Sequence, residues 1–218
     1  MSLTSWRYLW RITPLYRSEE EGSWPEDGPP PLPDDVSHEE IQRVADGAGP
    51  LFHRRYVALI RRTELDPDAL VTRLAADPDR AAPSEFATFK KVRGEEGEMR
   101  VGDEYVVRMP GPWDGPVRVV ERTPTRFRFA TLAGHLEAGQ IAFSADRADG
   151  RLRFRIESWA RSADRLSDLL YDRLRMSKEI QFHMWTSFLE RVIELSGGER
   201  DGGLRIHTRR VADIPDDL

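Results

Sequence analysis

The sequence contains no cysteine, so disulfide bonds, thiolate catalysis and cysteine-ligated zinc are excluded. It contains no run of about 18 apolar residues, the length that a membrane-spanning helix needs. The N-terminus lacks the basic region followed by an apolar region that typifies a secretory signal. These absences predict a cytoplasmic protein without a transmembrane segment.

Lysine is scarce, because only Lys90, Lys91 and Lys178 stand among the 33 basic residues and all the others are arginine. Arginine forks suit phosphate or carboxylate recognition, but codon usage in a GC-rich genome would give the same composition. The formal net charge is −5, which argues against a nucleic-acid partner because such a partner requires a basic surface.

Several catalytic signatures are also missing. The sequence has no Gly-x-Ser-x-Gly elbow, no phosphate-binding glycine-rich loop and no dinucleotide fingerprint. The histidines do not have the spacing of metal ligands; they are His38, His53, His135, His183 and His207. We therefore predict neither a metal nor a cofactor.

The longest helical pattern runs from Ser162 to Leu195 and contains neither proline nor glycine. Gly197 and Gly198 follow it and supply a stop, because glycine adopts the left-handed conformation that ends a helix. Apolar side chains, with Gln181 among them, recur at three- and four-residue spacing and so lie on one face. These side chains are Leu166, Leu170, Leu174, Met184, Trp185, Phe188, Val192 and Leu195.

Short alternating segments separated by glycine and proline precede that helix and predict strands. A first strand spans Tyr56–Arg62, and a short helix begins at Pro67 with Asp66 as its N-cap. Asp149-Gly150 predicts the clearest hairpin turn. The other candidate strands are Phe86–Val92, Glu104–Met109, Val117–Arg122, Arg126–Thr131, Gly139–Ala145 and Leu152–Trp159.

This order of elements predicts an α+β fold. A curved antiparallel sheet of about six or seven strands would wrap around the long C-terminal helix, with one or two short helices after the first strand. In Leu152–Trp159 apolar residues alternate with arginine and glutamate, which indicates one solvated face. A sheet curled around one helix rarely fills completely, so the gap between them is the natural place for a ligand.

The composition divides the chain into an aromatic segment and acidic proline-rich linker (1–36), a main domain (37–197) and a polar tail (198–218). In the main domain, Ser37 and Glu40 form the capping-box pattern of a short helix through Val44. In the tail, Leu204 and Ile206 are able to add an edge strand. In the first segment, every second residue is large and apolar, which indicates an extended stretch; these residues are Trp6, Tyr8, Trp10 and Ile12. This stretch packs on its own domain, a second subunit or a membrane.

One run of residues carries a family resemblance. Thr131-Leu-Ala-Gly-His-Leu-Glu-Ala-Gly139 resembles the signature of a family of uncharacterised bacterial and plant proteins. That family is placed in the START-like and pollen-allergen-like superfamily, which has the helix-grip fold and includes lipid carriers and polyketide cyclases. The resemblance implies this fold and a pocket, without an activity. The sequence departs from the signature at Ala138, where serine is expected, and at Gln140, where an acid is expected.

His135 and Glu137 are the best candidates for chemistry, since residues two apart on an extended segment lie on the same side. A carboxylate facing an apolar cavity could act as acid, base or ligand anchor. Alternatively, Glu137 accepts backbone N–H groups or pairs with an arginine, and His135 caps the turn after Gly134. Gln181 either meets a ligand or bonds to the backbone at a strand end. Trp113 either covers the cavity mouth or is an ordinary loop aromatic.

The first hypothesis is therefore a protein that binds a small hydrophobic molecule or lipid between the sheet and the C-terminal helix. The predicted ligand-binding residues are Phe129, Thr131, His135, Glu137, Ile141, Phe143, Gln181, Met184 and Phe188. The second hypothesis is a cyclase, dehydratase or hydrolase that uses Glu137 or His135 as general base. The third is a dimerisation or scaffold module that uses residues 1–16, in which case the protein is a homodimer.

Overall fold

The computed structural model describes residues 14–85, 87–109, 114–163 and 171–215, with the backbone alone over 171–180. In these ranges the chain forms ten strands and two α-helices. The strands are β1 (Leu15–Glu21), β2 (Ala48–Arg61), β3 (Thr88–Arg93), β4 (Glu104–Arg108), β5 (Asp114–Thr123), β6 (Arg126–Thr131), β7 (Glu137–Ala148), β8 (Arg151–Ser162), β9 (Glu199–Arg200) and β10 (Leu204–Val211). The helices are α1 (Pro67–Ala76) and α2 (Tyr171–Leu195).

The strands form one sheet in the order β1-β10-β2-β8-β7-β6-β5-β4-β3, and the short β9 pairs with β2. The β1–β10 pair is parallel, and the other pairs are antiparallel. The predicted α+β class is confirmed. The prediction of six or seven strands is wrong, because β1, β9 and β10 come from segments that we expected to be linker and tail.

The core lies between α1, α2 and one side of the sheet, which we call the inner face. Strand alternation sends Tyr56, Phe143 and Ile156 to this face, where the register places them side by side across β2, β8 and β7. The inner face and both helices share one buried apolar cluster. Its largest fully buried side chains include Phe127, Phe129, Phe143, Phe154 and Phe188.

The final helix ends where the sequence predicts. Gly197 has φ of 68°, and its N–H bonds to the Glu194 carbonyl, which closes the last turn. The predicted start at Ser162 is wrong, because Ser162 is the last residue of β8 and pairs with both β7 and β2. Leu166 and Leu170 lie outside the described residues, as does the side chain of Leu174.

The capping-box prediction at Ser37 is also wrong. Glu40 has φ of 61°, which a helix does not allow, and only a short 3₁₀ turn forms, at Val44–Asp46. The segment instead pairs with the sheet, since the N–H of Gln42 bonds to the Thr131 carbonyl and the Glu40 carbonyl accepts from Ala133. Those backbone bonds outweigh a helix of a few residues, which is marginal alone.

Residues 22–46 cross the side of the sheet opposite α2, the outer face, and we call this segment the outer strap. Buried arginines of the sheet donate to its backbone carbonyls: Arg118 to Ser37 and Glu39, and Arg128 to Pro30. Because proline carbonyls have no helix or ladder partner, they are free to accept these bonds. The expected linker thus covers one face of the sheet.

The tail supplies an internal strand, since β10 lies between β1 and β2. Its alternate residues Leu204, Ile206 and Thr208 are buried. The expectation of an edge strand there is therefore corrected, and the edge position belongs to the exposed β1. The hairpin at Asp149-Gly150 forms as predicted, with φ of 51° and 74°.

Candidate functional site

The inner face has two ends that differ in their side chains. The first, which we call the closed end, contains Phe143, Leu152, Phe154, Phe188 and Leu189, all at most 1% exposed. The second, the open end, contains polar as well as apolar groups: Arg17, Phe52, Arg54, Tyr56, Glu137 and Phe182. The candidate site lies at the open end, because it is there that the inner face changes from apolar to charged.

The closed end is packed with aromatic rings. The Phe188 centroid lies 5.4 Å from that of Phe143 and 6.3 Å from that of Phe154. Phe129 meets Phe143 edge to face at 6.3 Å. These side chains touch one another and, with the buried Met184, form core in the described part of the chain. Phe129, Phe143, Met184 and Phe188 were predicted to contact a ligand, and here the three rings pack on one another.

The open end contains a partly open cavity of about 80 Å³ between β1, β10, β2 and α2. Its lining residues are Arg17, Glu19, Phe52, Arg54, Tyr56, Phe182, Ile206 and Thr208. The guanidinium carbon of Arg54 lies 4.6 Å from the Phe52 ring centroid, and that of Arg17 lies 5.6 Å from the Phe182 centroid. Each arginine is therefore placed by a cation–π contact with a ring of the same cavity.

Tyr56 lies at the centre of this charge pattern and is 3% exposed. Burial raises the pKa of its phenol, an effect opposed by Arg54 and Arg17 and reinforced by Glu137. The phenol therefore stays protonated at neutral pH and can donate a hydrogen bond. The same interactions show that all three charged side chains act on one point of the inner face.

Glu137 lies on the inner face, as its spacing from Gly139, Ile141 and Phe143 predicts. Across the β7–β8 pair it faces Ser162, in the row that continues through Gly139 to Phe143. Its side chain is half-buried. Among the described residues the carboxylate has neither an ion pair nor a hydrogen bond, so neither structural alternative for this side chain is observed there.

His135 has the geometry of the capping alternative. Its Nδ1 lies 2.9 Å from the backbone nitrogen and 3.0 Å from the carbonyl oxygen of Glu137, and the backbone N–H of His135 donates to the Leu132 carbonyl. Its Nε2 packs against Gly115, where an added Cβ would come within 3.0 Å. Burial lowers the pKa of His135, although Glu137 opposes this. The neutral imidazole holds the loop in place.

Thr131 and Gln42 complete the support of this loop. The Thr131 hydroxyl accepts the N–H of Gly139 at 2.9 Å and lies 3.2 Å from the Gly139 carbonyl. The side-chain amide of Gln42 donates to the carbonyls of His135 and Glu137, both at 3.0 Å. Gln42 was not predicted, because no spacing signal links it to residues more than ninety positions away.

Gly139 is required where the two strands approach. A Cβ at this position would lie 1.9 Å from the Trp159 carbonyl oxygen, and φ is 155°. Ala138 and Gln140, the departures from the family signature, lie on the outer face on either side of it. Gln140 accepts from Arg128 at 2.7 Å and donates to the Pro30 carbonyl. Gln140 therefore contacts the outer strap, and both departures lie on the face away from Glu137.

Behind the open end, the outer face carries a buried ionic network. The ring nitrogens of His53 lie 2.9 Å from Asp27 and 2.8 Å from Glu157, and Arg55 donates to the same Glu157 oxygen at 2.6 Å. Both imidazole contacts are hydrogen bonds only when both nitrogens carry protons. The His53 ring stacks on Trp159 at 5.2 Å. This network ties the outer strap to β2 and β8.

A second cavity, of about 140 Å³, lies between the end of α1 and strands β3 and β4. Lys91 in its wall donates to Asp103 at 2.6 Å and to the backbone carbonyls of Glu95 and Glu98. An ammonium group has three donors, so all of them are used within the protein. We interpret this lysine as a support of the β3–β4 loop.

The other predicted residues have simple positions. Ile141 is half-buried opposite Ser158, and Gln181 is half-buried on α2. His183 is exposed, while Trp113 lies outside the described residues. Over the described ranges, no three metal-ligating side chains come together. No helix in those ranges has the length and apolar character to cross a bilayer.

Comparison with known proteins gives a family. Residues 25–191 match the family described as Domain of unknown function (DUF1990). This range includes the Thr131–Gly139 run and most of the outer strap. A search of curated protein sequences finds no match.

Solved structures share the architecture. The di-domain ARO/CYC StfQ from the steffimycin biosynthetic pathway has a TM-score of 0.51 and 9% identity, over 71% of this chain and 52% of that chain. A major latex-like protein from Panax ginseng is 12% identical over 66% of this chain and 97% of its own, with a TM-score of 0.47. Protein Ms6760 from Mycobacterium smegmatis is 16% identical over 76% and 97%, with a TM-score of 0.42. The likeness to StfQ supports the helix-grip fold and nothing finer.

Proposed function

Since the chain belongs to the DUF1990 family and has the helix-grip fold, we propose that it binds a small hydrophobic molecule between the open end and α2. The observation that carries this proposal is the cavity in which Phe52, Tyr56, Phe182 and Ile206 lie beside the polar residues Arg17, Glu19, Arg54 and Thr208. Aromatic and aliphatic walls with a few polar groups are the usual composition of a small-molecule site.

The cavity is smaller than a usual ligand pocket, so binding of a whole ligand requires the site to widen. At about 30 Å³ per water molecule, 80 Å³ holds two or three waters, whereas ligand pockets usually measure about 300 Å³ or more. A whole ligand therefore requires Phe182 and its part of α2 to move away from the sheet. The closed end stays packed during this movement, because Phe188 and Leu189 anchor the other half of the helix.

Glu137 supplies a polar contact in this proposal. Its carboxylate has no partner in the described part of the chain, and the bonds from Thr131, Gln42 and His135 fix the backbone that carries it. An anchored backbone with an uncommitted side chain is the arrangement expected of a binding group. His135 and Thr131 then act by positioning Glu137.

The same observation favours a second candidate function, catalysis. A carboxylate on the inner face near the protonated phenol of Tyr56 makes a base and an acid available to one substrate. The reaction would be of cyclase, dehydratase or hydrolase type. Under this second function Glu137→Gln would abolish turnover of a substrate, whereas under simple carriage it would only weaken binding, because a polar contact is lost. Dimerisation through residues 1–16 stays a prediction, because residues 1–13 lie outside the described part.

Fluorescence titration with phenyl-naphthylamine, a neutral dye that brightens in apolar sites, tests the binding proposal. We expect saturable binding to the wild type and a loss of about tenfold in affinity for Phe182→Ala. The matched control is Phe89→Ala, which removes a half-buried ring from the wall of the second cavity and should leave dye binding unchanged. Absence of saturable binding, or equal effects of the two variants, would contradict the proposal.

A further inference from the structure

We infer that the molecule bound at the open end carries an anionic group, a carboxylate or a phosphate, which sits between Arg17 and Arg54. This inference rests on the proposed function and deepens it by naming the ligand class. Both arginines line the cavity of about 80 Å³, together with Phe52 and Phe182.

Neighbouring arginines of β2 show the contrast that leads to this inference. Arg55, on the outer face, donates to Glu157 at 2.6 Å within the buried network. Arg54, on the inner face, is half-buried against Phe52 and has no carboxylate within ion-pair distance among the described residues. A half-buried guanidinium without a counter-ion is costly unless a ligand or water completes its hydrogen bonds.

Arg17 adds an exposed guanidinium from the edge strand β1. It lies over the Phe182 ring and, in the part of the chain that the structure describes, has no carboxylate partner either. Glu19 faces the same cavity, so the described side chains of the lining include two guanidinium groups and one carboxylate. These described groups sum to one positive charge, which a monoanionic group would neutralise.

The remaining polar groups of the lining can donate as well. The Tyr56 phenol stays protonated, and Thr208 places a hydroxyl on the same wall. Arginine forks recognise carboxylate and phosphate oxygens with two parallel bonds, and hydroxyl donors complete the remaining lone pairs. Phe52, Phe182 and Ile206 then contact the carbon atoms of the ligand that lie next to its anionic group.

Competition with the bound dye tests this inference, using three ligands that share one alkyl chain. We expect dodecanoate or dodecyl phosphate to displace phenyl-naphthylamine at a concentration at least about tenfold lower than dodecanol, since charge-assisted bonds are worth that much. Whichever anion is tighter identifies the head group. Equal displacement by the alcohol and both anions would overturn the inference while leaving the proposed function standing. Failure of the dye itself to bind would reject the proposed function instead.

Charge variants sharpen the test. Arg17→Gln and Arg54→Gln should each weaken the preferred anion by about tenfold with little effect on dodecanol. Glu19→Gln should have the opposite effect and tighten anion binding severalfold, because it removes the one carboxylate of the lining. The control is Arg205→Gln, an exposed arginine of β10 on the outer face, which should change nothing. If Arg205→Gln weakened the anion as much as Arg17→Gln and Arg54→Gln, binding would depend on general surface charge and the inference would be overturned.

Discussion

The two ends of the inner face share helix α2 and strand β7, yet their side chains differ. At the closed end, Phe143, Phe154 and Phe188 fill the space between sheet and helix. At the open end, β2 presents Arg54 and Tyr56, β7 presents Glu137, and a cavity remains between β1, β10, β2 and α2. The difference shows that aromatic residues alone do not mark the binding site of this fold. The site begins where charged side chains interrupt the apolar rows.

The largest effect should come from breaking the closed end. Phe188→Ala removes a ring that is 1% exposed and contacts both sheet and helix, so we expect a loss of about 3–5 kcal/mol in the free energy of unfolding. Urea denaturation measures it. Phe182→Ala, at the open end, should cost about 1 kcal/mol, because that ring is only half-buried. Equal losses for the two variants would erase the distinction between the ends.

The next effect concerns the ionic network on the outer face behind the open end. Burial would raise the pKa of Glu157, but hydrogen bonds from His53 and Arg55 outweigh it and lower the pKa from 4.5 to about 2. Since the folded pKa is depressed, this stabilisation is complete above about pH 4.5 and is lost as pH falls through about 2. It amounts to about 3 kcal/mol.

Asp27 in the outer strap adds to the same acid dependence. Burial would raise its pKa, but bonds from His53, the Ser23 backbone and Arg209 lower it. Urea denaturation at several pH values should therefore show stability falling in acid. In Glu157→Gln that fall should be shallower, because one of the two carboxylates no longer titrates. An unchanged acid dependence in this variant would contradict the assignment.

Gly139→Ala should have an intermediate effect of about 1–3 kcal/mol on unfolding, because the new methyl group meets the Trp159 carbonyl. The expected structural consequence is separation of β7 from β8 at the open end, which displaces Glu137. Gly134→Ala is the control, since φ is positive there but a Cβ meets nothing within 4 Å. If the two variants lose the same stability, the close approach at Gly139 is unimportant.

The smallest effect should come from Glu137→Gln. The side chain is half-buried and lacks partners among the described residues, so unfolding should change by about 0.5 kcal/mol or less. Thermal and urea denaturation check this. A large loss of stability would mean that the carboxylate is a structural group, which would remove it from the open-end site.

Much of the fold was predictable because it follows local rules. Period-two alternation identified β6 with its observed bounds, and the Asp149-Gly150 turn and the stop at Gly197 depend on backbone conformations that few residues adopt. The charged strand β1 was missed because its seven residues are all exposed, which leaves no apolar alternation to detect. Its partner β10 pairs with both β1 and β2, so its place in the sheet depends on contacts between residues far apart in the sequence.

The candidate site was predictable in part. The parity of Glu137 with Phe143 places it on the inner face, since register fixes which face each strand residue takes. Arg17, Arg54 and Gln42 were not recognised, because a chain with this many scattered arginines gives no signal for two of them. Their significance comes from contacts between residues far apart in sequence, such as Arg17 and Phe182.

Mapping amide chemical shifts on addition of dodecanoate tests the central claim most directly. We predict saturable shifts at the open end, on Phe52, Tyr56 and Phe182, with Leu152, Phe154 and Leu189 at the closed end unchanged. Shifts centred on the closed end, or on the wall of the second cavity near Phe89, would contradict the account.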